Sequence, residues 1–166
     1  MYIIIRGKYL KATPEYRSLV QNRQRQVPHI DYNYSFDTLP IKYWERSEQC
    51  LLAKEAHMDR IDRLCASRED LVLMTTLWNK NINLEPNMFP YDTPDNVLHY
   101  TLWSLKELIH KEIVRYVENW LRKRMPKVRR WNYDDNLGDR SFQLFHVHVY
   151  IETIPYSYIP KSDSNE

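Results

Sequence analysis

The spacing of hydrophobic and polar residues changes several times along this 166-residue chain, and each change marks an element. Residues 2–5 (Tyr-Ile-Ile-Ile) are continuously apolar and read as a short strand or an N-terminal arm. Residues 11–35 are polar, contain Pro14 and Pro28 and keep no period, so they read as loop with one helical turn around 15–21. Pro40 suits the first turn of a helix, which is expected to open within 38–46. Over 47–66, Leu51, Leu52, Met58, Ile61 and Leu64 recur at steps of three and four, with Lys54, Glu55, Asp59, Arg60 and Asp62 on the other side. That pattern predicts an amphipathic helix. Ser67 and Asp70 then form a capping signal for a second helix over 68–78. Residues 79–96 hold three Pro and five Asn and read as a long loop.

Two segments alternate with period two. In 97–103, Val97, His99, Thr101 and Trp103 share one face, and Leu98, Tyr100 and Leu102 share the other. In 142–151, Phe145, Val147, Val149 and Ile151 oppose Leu144, His146, His148 and Tyr150, so both faces carry apolar groups and the strand is expected to be covered. Between them, Ser104 and Glu107 read as a capping box opening a helix over 105–125, with Leu108, Ile113, Val117 and Leu121 on its stripe and Pro126 at its end. Residues 127–141 read as a polar loop and 161–166 as a frayed, disordered tail. The fold class is therefore α+β: an antiparallel or mixed sheet containing 97–103 and 142–151, covered on at least one face by two or three amphipathic helices, in a single domain over 1–160.

Composition narrows the function more than it names it. Only Gly7 and Gly138 occur, so a glycine-rich phosphate loop of the P-loop or Rossmann kind is excluded. The net charge of +2 is too small to be a nucleic-acid signature by itself. Cys50 and Cys65 form no CxxC pair and read as reduced thiols, which points to an intracellular, cytoplasmic setting. No apolar run approaches the length of a membrane span, and none resembles a signal peptide. No cofactor is implied.

Three features carry chemistry. His146 and His148, two positions apart on a strand, point the same way, and His99 on the other strand could join them. Such imidazoles suit metal ligation or direct catalysis, but without a spaced carboxylate no metal site is assigned; the competing reading is packed histidines bonded to Tyr or backbone. A basic run of Arg122, Lys123, Arg124, Lys127, Arg129 and Arg130 lies between Trp120 and Trp131. It suits a nucleic acid or another anion, or simply the C-terminal end of a helix dipole. Acidic residues at Glu85, Asp92, Asp95, Asp134, Asp135 and Asp139 fall in expected loops and read as turn chemistry.

Two resemblances follow. His146-Val-His-Val-Tyr150 resembles, over five residues, the His-x-His-x-His of the histidine-triad nucleotide hydrolases, with Tyr150 in place of the last histidine. By that resemblance His148 is the nucleophile and His146 its supporting neighbour. More broadly, Asn87-Met-Phe-Pro-Tyr91 followed by His99-Tyr-Thr-Leu-Trp103-Ser104 resembles a family whose fungal members include the N-acetylglucosamine-induced protein. The likeness covers about 67–152. Met88 stands where the family often has Asp, and Asn136-Leu-Gly-Asp139 replaces its Asn-Pro-Pro element. The resemblance implies a compact intracellular domain, carries no established reaction, and favours His99, Trp103 and His146 as a cluster. Candidate site residues are thus His146 and His148 for catalysis, and His99, Trp103, Tyr91, Ser104, Arg122, Lys123 and Arg124 for binding. Ser104 is included because the start of the long helix would offer free amides to an anion. Three functions compete: a non-enzymatic binding or accessory domain with a small anionic or protein partner, a small hydrolase or phosphotransfer enzyme using histidines, and a nucleic-acid binder using 120–131.

Overall fold

The computed structural model describes residues 2–5, 8–11, 36–125, 127–136 and 140–154. The expected helical turn at 15–21 and the tail at 161–166 lie outside them. Strands β1 (Tyr2–Ile5) and β2 (Lys8–Lys11) pair as an antiparallel hairpin. The main sheet has five strands: β3 (Asp37–Thr38), β4 (Ile82–Pro86), β5 (Val97–Ser104), β6 (Val128–Asp134) and β7 (His146–Thr153). Their spatial order is β3-β6-β7-β5-β4, with β3 parallel to β6 and every other pair antiparallel. Among the described residues the helices are α1 (Glu48–Leu64), α2 (Arg68–Met74) and α3 (His110–Arg124). The fold is α+β with a mixed sheet; the alternating segment 97–103 is β5, and the segment expected over 142–151 forms β7 only from His146 onward, so 142–145 are not strand.

Local chemistry sets most helix ends. The Ser47 hydroxyl accepts from the Cys50 amide at the start of α1. Ser67 and Asp70 close a reciprocal capping box on α2, at 3.1 and 2.8 Å. The long helix departs from its expected start. Ser104 is the last residue of β5, paired with Ile82, and its amide donates to the Phe145 carbonyl. Strand pairing therefore outcompetes the local Ser104/Glu107 capping signal. Helix α3 begins at His110, where the Glu112 carboxylate accepts from the Ile109 amide. Three other readings are corrected. Residues 39–47 take no helix; Leu39 instead extends the edge, its amide donating to the Trp131 carbonyl. The stretch 79–96 contains the edge strand β4, which tolerates Pro86 at its end. The stretch 127–141 contains β6, hidden because a bulge near Arg129 breaks its alternation.

The two faces of the sheet differ in kind. One packs Leu84, Leu102, Trp131, Tyr133, Val147, Val149 and Ile151 against Ile113, Val114, Val117 and Leu121 of α3. The opposite face carries His99, Thr101 and Trp103 of β5, His146, His148, Tyr150 and Glu152 of β7, and Asn132 and Asp134 of β6, all buried. Smaller apolar clusters flank it: Leu39, Val97 and Tyr150 at one end, and Val72, Leu77 and Trp103 at the other. Among the described residues no helix is long and apolar enough to cross a membrane.

Trp131 is fully buried and Trp78 is 64% exposed. Trp131→Ala should cost about 3–5 kcal/mol by urea denaturation, whereas Trp78→Ala should stay within roughly 0.5 kcal/mol. Comparable losses at both positions would contradict the assigned core.

Candidate functional site

The register of β5 on β7 builds the site. Trp103 lies opposite His146, Thr101 opposite His148 and His99 opposite Tyr150, so period-two spacing places all six side chains on one face. His99 Nε2 and His148 Nδ1 are 2.6 Å apart. The His146 and His148 ring centroids lie 6.0 Å apart, and Trp103 stands 4.7 Å from His146. Tyr91, from the connector after β4, stacks on His99 at 4.8 Å and reaches His148 at 5.6 Å. The Arg46 guanidinium covers the Tyr91 ring at 4.3 Å, fixed by a bond from its Nε to the Phe89 carbonyl.

These contacts fix the tautomers. The Tyr91 amide donates to His99 Nδ1 at 3.0 Å, so the neutral His99 ring carries its proton on Nε2 and donates it to His148 Nδ1. His148 must then carry its own proton on Nε2. His146 Nδ1 can only donate to the Leu144 carbonyl, 2.8 Å away, which leaves its Nε2 to accept from the Asn136 side-chain amide at 2.7 Å. Asn136 reaches it from a left-handed conformation, φ 49°, that Asn tolerates. Burial keeps all three rings neutral: His99 is lowered to about 3, His146 to about 4 and His148 well below the usual histidine value. After burial, the neighbouring imidazoles His99 and His146 lower His148 further, and Arg46, Lys54 and Arg140 act in the same direction on one or more of the three rings.

Above this floor lies a cavity of about 730 Å³. His146, His148, Thr101, Trp103, Asn87 and Tyr91 line its sheet side, and Leu51, Lys54 and Met58 of α1 with Leu71 and Val72 of α2 form the facing wall. Arg46, Arg140 and Phe142 close its sides. The Asn87 side chain is held by Thr101, its Nδ2 donating to Oγ1 at 2.8 Å. Of the candidate residues, Tyr91, Trp103, His146 and His148 therefore meet at the cavity, with His99 behind His148 as its hydrogen-bond partner. Ser104 does not: it is buried in the strand end and its hydroxyl accepts from the Lys106 amide, so the expected anion site at a helix start beside Trp103 is not formed. Arg122, Lys123 and Arg124 lie on α3, across the sheet. There Arg122 pairs with buried Glu118 at 2.7 Å and Arg124 covers Trp120 at 5.6 Å. Trp131 is buried in the core, so it offers no exposed face on which a base could stack. Among the described residues no group of three or more His, Cys, Asp or Glu side chains is placed to hold a metal ion.

Sequence reasoning missed Arg46, Lys54 and Arg140, which carry no local motif, and gave Asn87 and Asn136 no role although both stand in the stretches compared with the fungal family. It also read Asp134 as turn chemistry. Asp134 is a strand residue opposite His148, and burial raises its carboxyl to about 7. Stability should follow these shifts. The three histidines bind protons in the unfolded chain below about pH 6.5 but not in the native one, which favours folding as pH rises. Asp134 acts oppositely, since its native form holds a proton that the unfolded chain releases above about pH 3.9. Near pH 5 the excess of protons on the unfolded chain is about two, and stability should rise by roughly 2.7 kcal/mol per pH unit. Asp134→Asn should steepen that slope by about half, read as urea midpoints between pH 4.5 and 6; an unchanged slope would contradict the assignment.

No family model matches the chain, and no curated protein matches it. Among solved structures it is similar to one described as "Crystal Structure of HTC1", with 21% identity over 69% of this chain and 78% of that one, at a TM-score of 0.47, a likeness too distant to carry an inference.

Proposed function

We propose that this chain is a non-enzymatic binding domain whose cavity takes a small anionic molecule with a flat or apolar body. The observation that supports it is the separation of charge around one cavity of small-molecule size. Arg46, Lys54 and Arg140 are half-buried, whereas Glu45, Glu55 and Asp59 are exposed at its edge. Glu85 is engaged by the Thr76 hydroxyl and the Asn83 amide. The interior is thus positive over neutral imidazoles, while Trp103, Tyr91, Phe142 and Met58 supply apolar contact.

Binding is favoured over histidine chemistry by the hydrogen-bond chain. His148 presents a protonated Nε2, which donates but does not attack, and His146 has both nitrogens engaged. Phe89, Tyr91 and Trp103, which carry the resemblance to the family that includes the fungal N-acetylglucosamine-induced protein, all line this cavity, which supports that kinship as a proposal. A cytoplasmic setting fits the two free cysteines.

Thermal unfolding in the presence of benzoate, phenyl phosphate or benzyl alcohol tests the reading. At ten times its dissociation constant an anion should add about 1.4 kcal/mol, which raises the midpoint by roughly 3–6 °C. Benzyl alcohol at equal concentration should not. The shift should vanish in Lys54→Ala and Arg140→Ala. An equal shift from the neutral alcohol, or none from either anion, would overturn the reading.

A further inference from the structure

Resting on that reading of the cavity, we infer that its ligand enters with a proton-free oxygen foremost, of a carboxylate or a carbonyl, and that Thr101 and His148 receive it as paired hydrogen-bond donors. The two residues are register partners on β5 and β7 and share the polar face of the sheet, so their Cβ atoms stand about 5 Å apart. One oxygen can sit between them, or a carboxylate can place one oxygen on each. Both donors are fixed by what lies behind them. The Tyr91 amide occupies His99 Nδ1 and His99 Nε2–H occupies His148 Nδ1, so the neutral His148 ring carries its proton on Nε2. Tyr91 also stacks against both rings, at 4.8 and 5.6 Å, and holds their planes. Asn87 Oδ1 accepts from the Phe89 amide at 2.9 Å, which fixes Asn87 Nδ2 as the donor to Thr101 Oγ1. The Thr101 hydroxyl therefore has its oxygen engaged and a proton left to give.

Among the described residues no group accepts from His148 Nε2 or from the Thr101 hydroxyl, and both residues line the cavity. Buried polar groups are paired as a rule, yet here two donors stand side by side without an acceptor. Their neighbours do not offer a counterpart to a ligand's own N–H or O–H. His146 has both nitrogens engaged, His99 likewise, and the Asn87 oxygen is taken. The floor thus donates rather than accepts. His99 is a positioning residue: it need not touch the ligand, yet it decides which nitrogen of His148 carries the proton. With the opposite tautomer His148 would present a lone pair, and the floor would suit a metal ion or a ligand hydroxyl instead.

Calorimetry with benzoate and acetophenone, beside nitrogen-15 NMR of the histidines, tests this. In the free protein His148 Nε2 should resonate as a proton-bearing nitrogen. Its proton should move downfield when benzoate binds, while the His146 nitrogens hold still. Thr101→Val should weaken benzoate about tenfold, whereas Thr101→Ser, which keeps the hydroxyl, should stay within about twofold. His99→Phe should release the His148 tautomer. The NMR arm on the unaltered protein decides the matter if a variant fails to fold. Benzoate binding with an unprotonated His148 Nε2, or without movement of its proton, would overturn the donor pair and leave anion binding standing. Acetophenone binding as tightly as benzoate, with the same movement, would support the donor pair and overturn the anionic reading. No binding by either would overturn the donor pair, and phenyl phosphate alone would then carry the anionic reading.

Discussion

The main sheet and the cavity above it depend on the register between β5 and β7. The two strands are central, buried on both faces, and paired from Val97↔Glu152 to Trp103↔His146. One face of the pair is aliphatic and meets α3; the other is a row of imidazole, indole, phenol and hydroxyl groups. A slip of one residue would drive His146 and His148 into the aliphatic core and turn Val147 and Val149 toward the cavity. The penalty for burying unbonded imidazoles and the loss of aliphatic packing act together, so the pairing is strongly determined. The polar face is tolerable because its histidines are neutral and hydrogen-bonded, to each other, to a backbone amide and carbonyl, and to Asn136.

This arrangement explains which parts could be read from the chain and which could not. Strands β5 and β7 were legible because their alternation is unbroken. Helix α1 was legible from its apolar spacing, and α2 from the Ser67/Asp70 capping signal, which the structure forms. β6 was hidden by its bulge, which leaves Val128 and Trp131 out of period. β4 was hidden by Asn and Pro, residues a strand accepts only at an edge. The false start of α3 had a different cause: the local signal at Ser104 was real, and a long-range partner at Ile82 overruled it.

The site divides along the same line. The histidines, Trp103 and Tyr91 stood out because they sit two positions apart on regular strands or in a quoted motif. Arg46, Lys54 and Arg140 come from an irregular strap, a helix and a turn, and nothing in their own neighbourhoods marks them. The basic run stood out instead, yet the fold splits it: on α3 Arg122 is committed to Glu118 and Arg124 to Trp120, and on β6 Arg129 and Arg130 face Glu152.

The two-residue strand β3 has a consequence for how the molecule is made. Leu39 is tied to Asn132, ninety-three positions along the chain. The neighbouring hairpins, β4 with β5 and β6 with β7, close over short distances, but β3 has no partner until β6 has been synthesised. The strap that follows β3 carries Tyr43 and Arg46 into the cavity wall. During translation, then, the imidazole floor can assemble only when β7 emerges, and the wall over it cannot be anchored before β6 does. The cavity exists only once β7 has been synthesised, and a nascent chain released short of β7 would lack its imidazole floor.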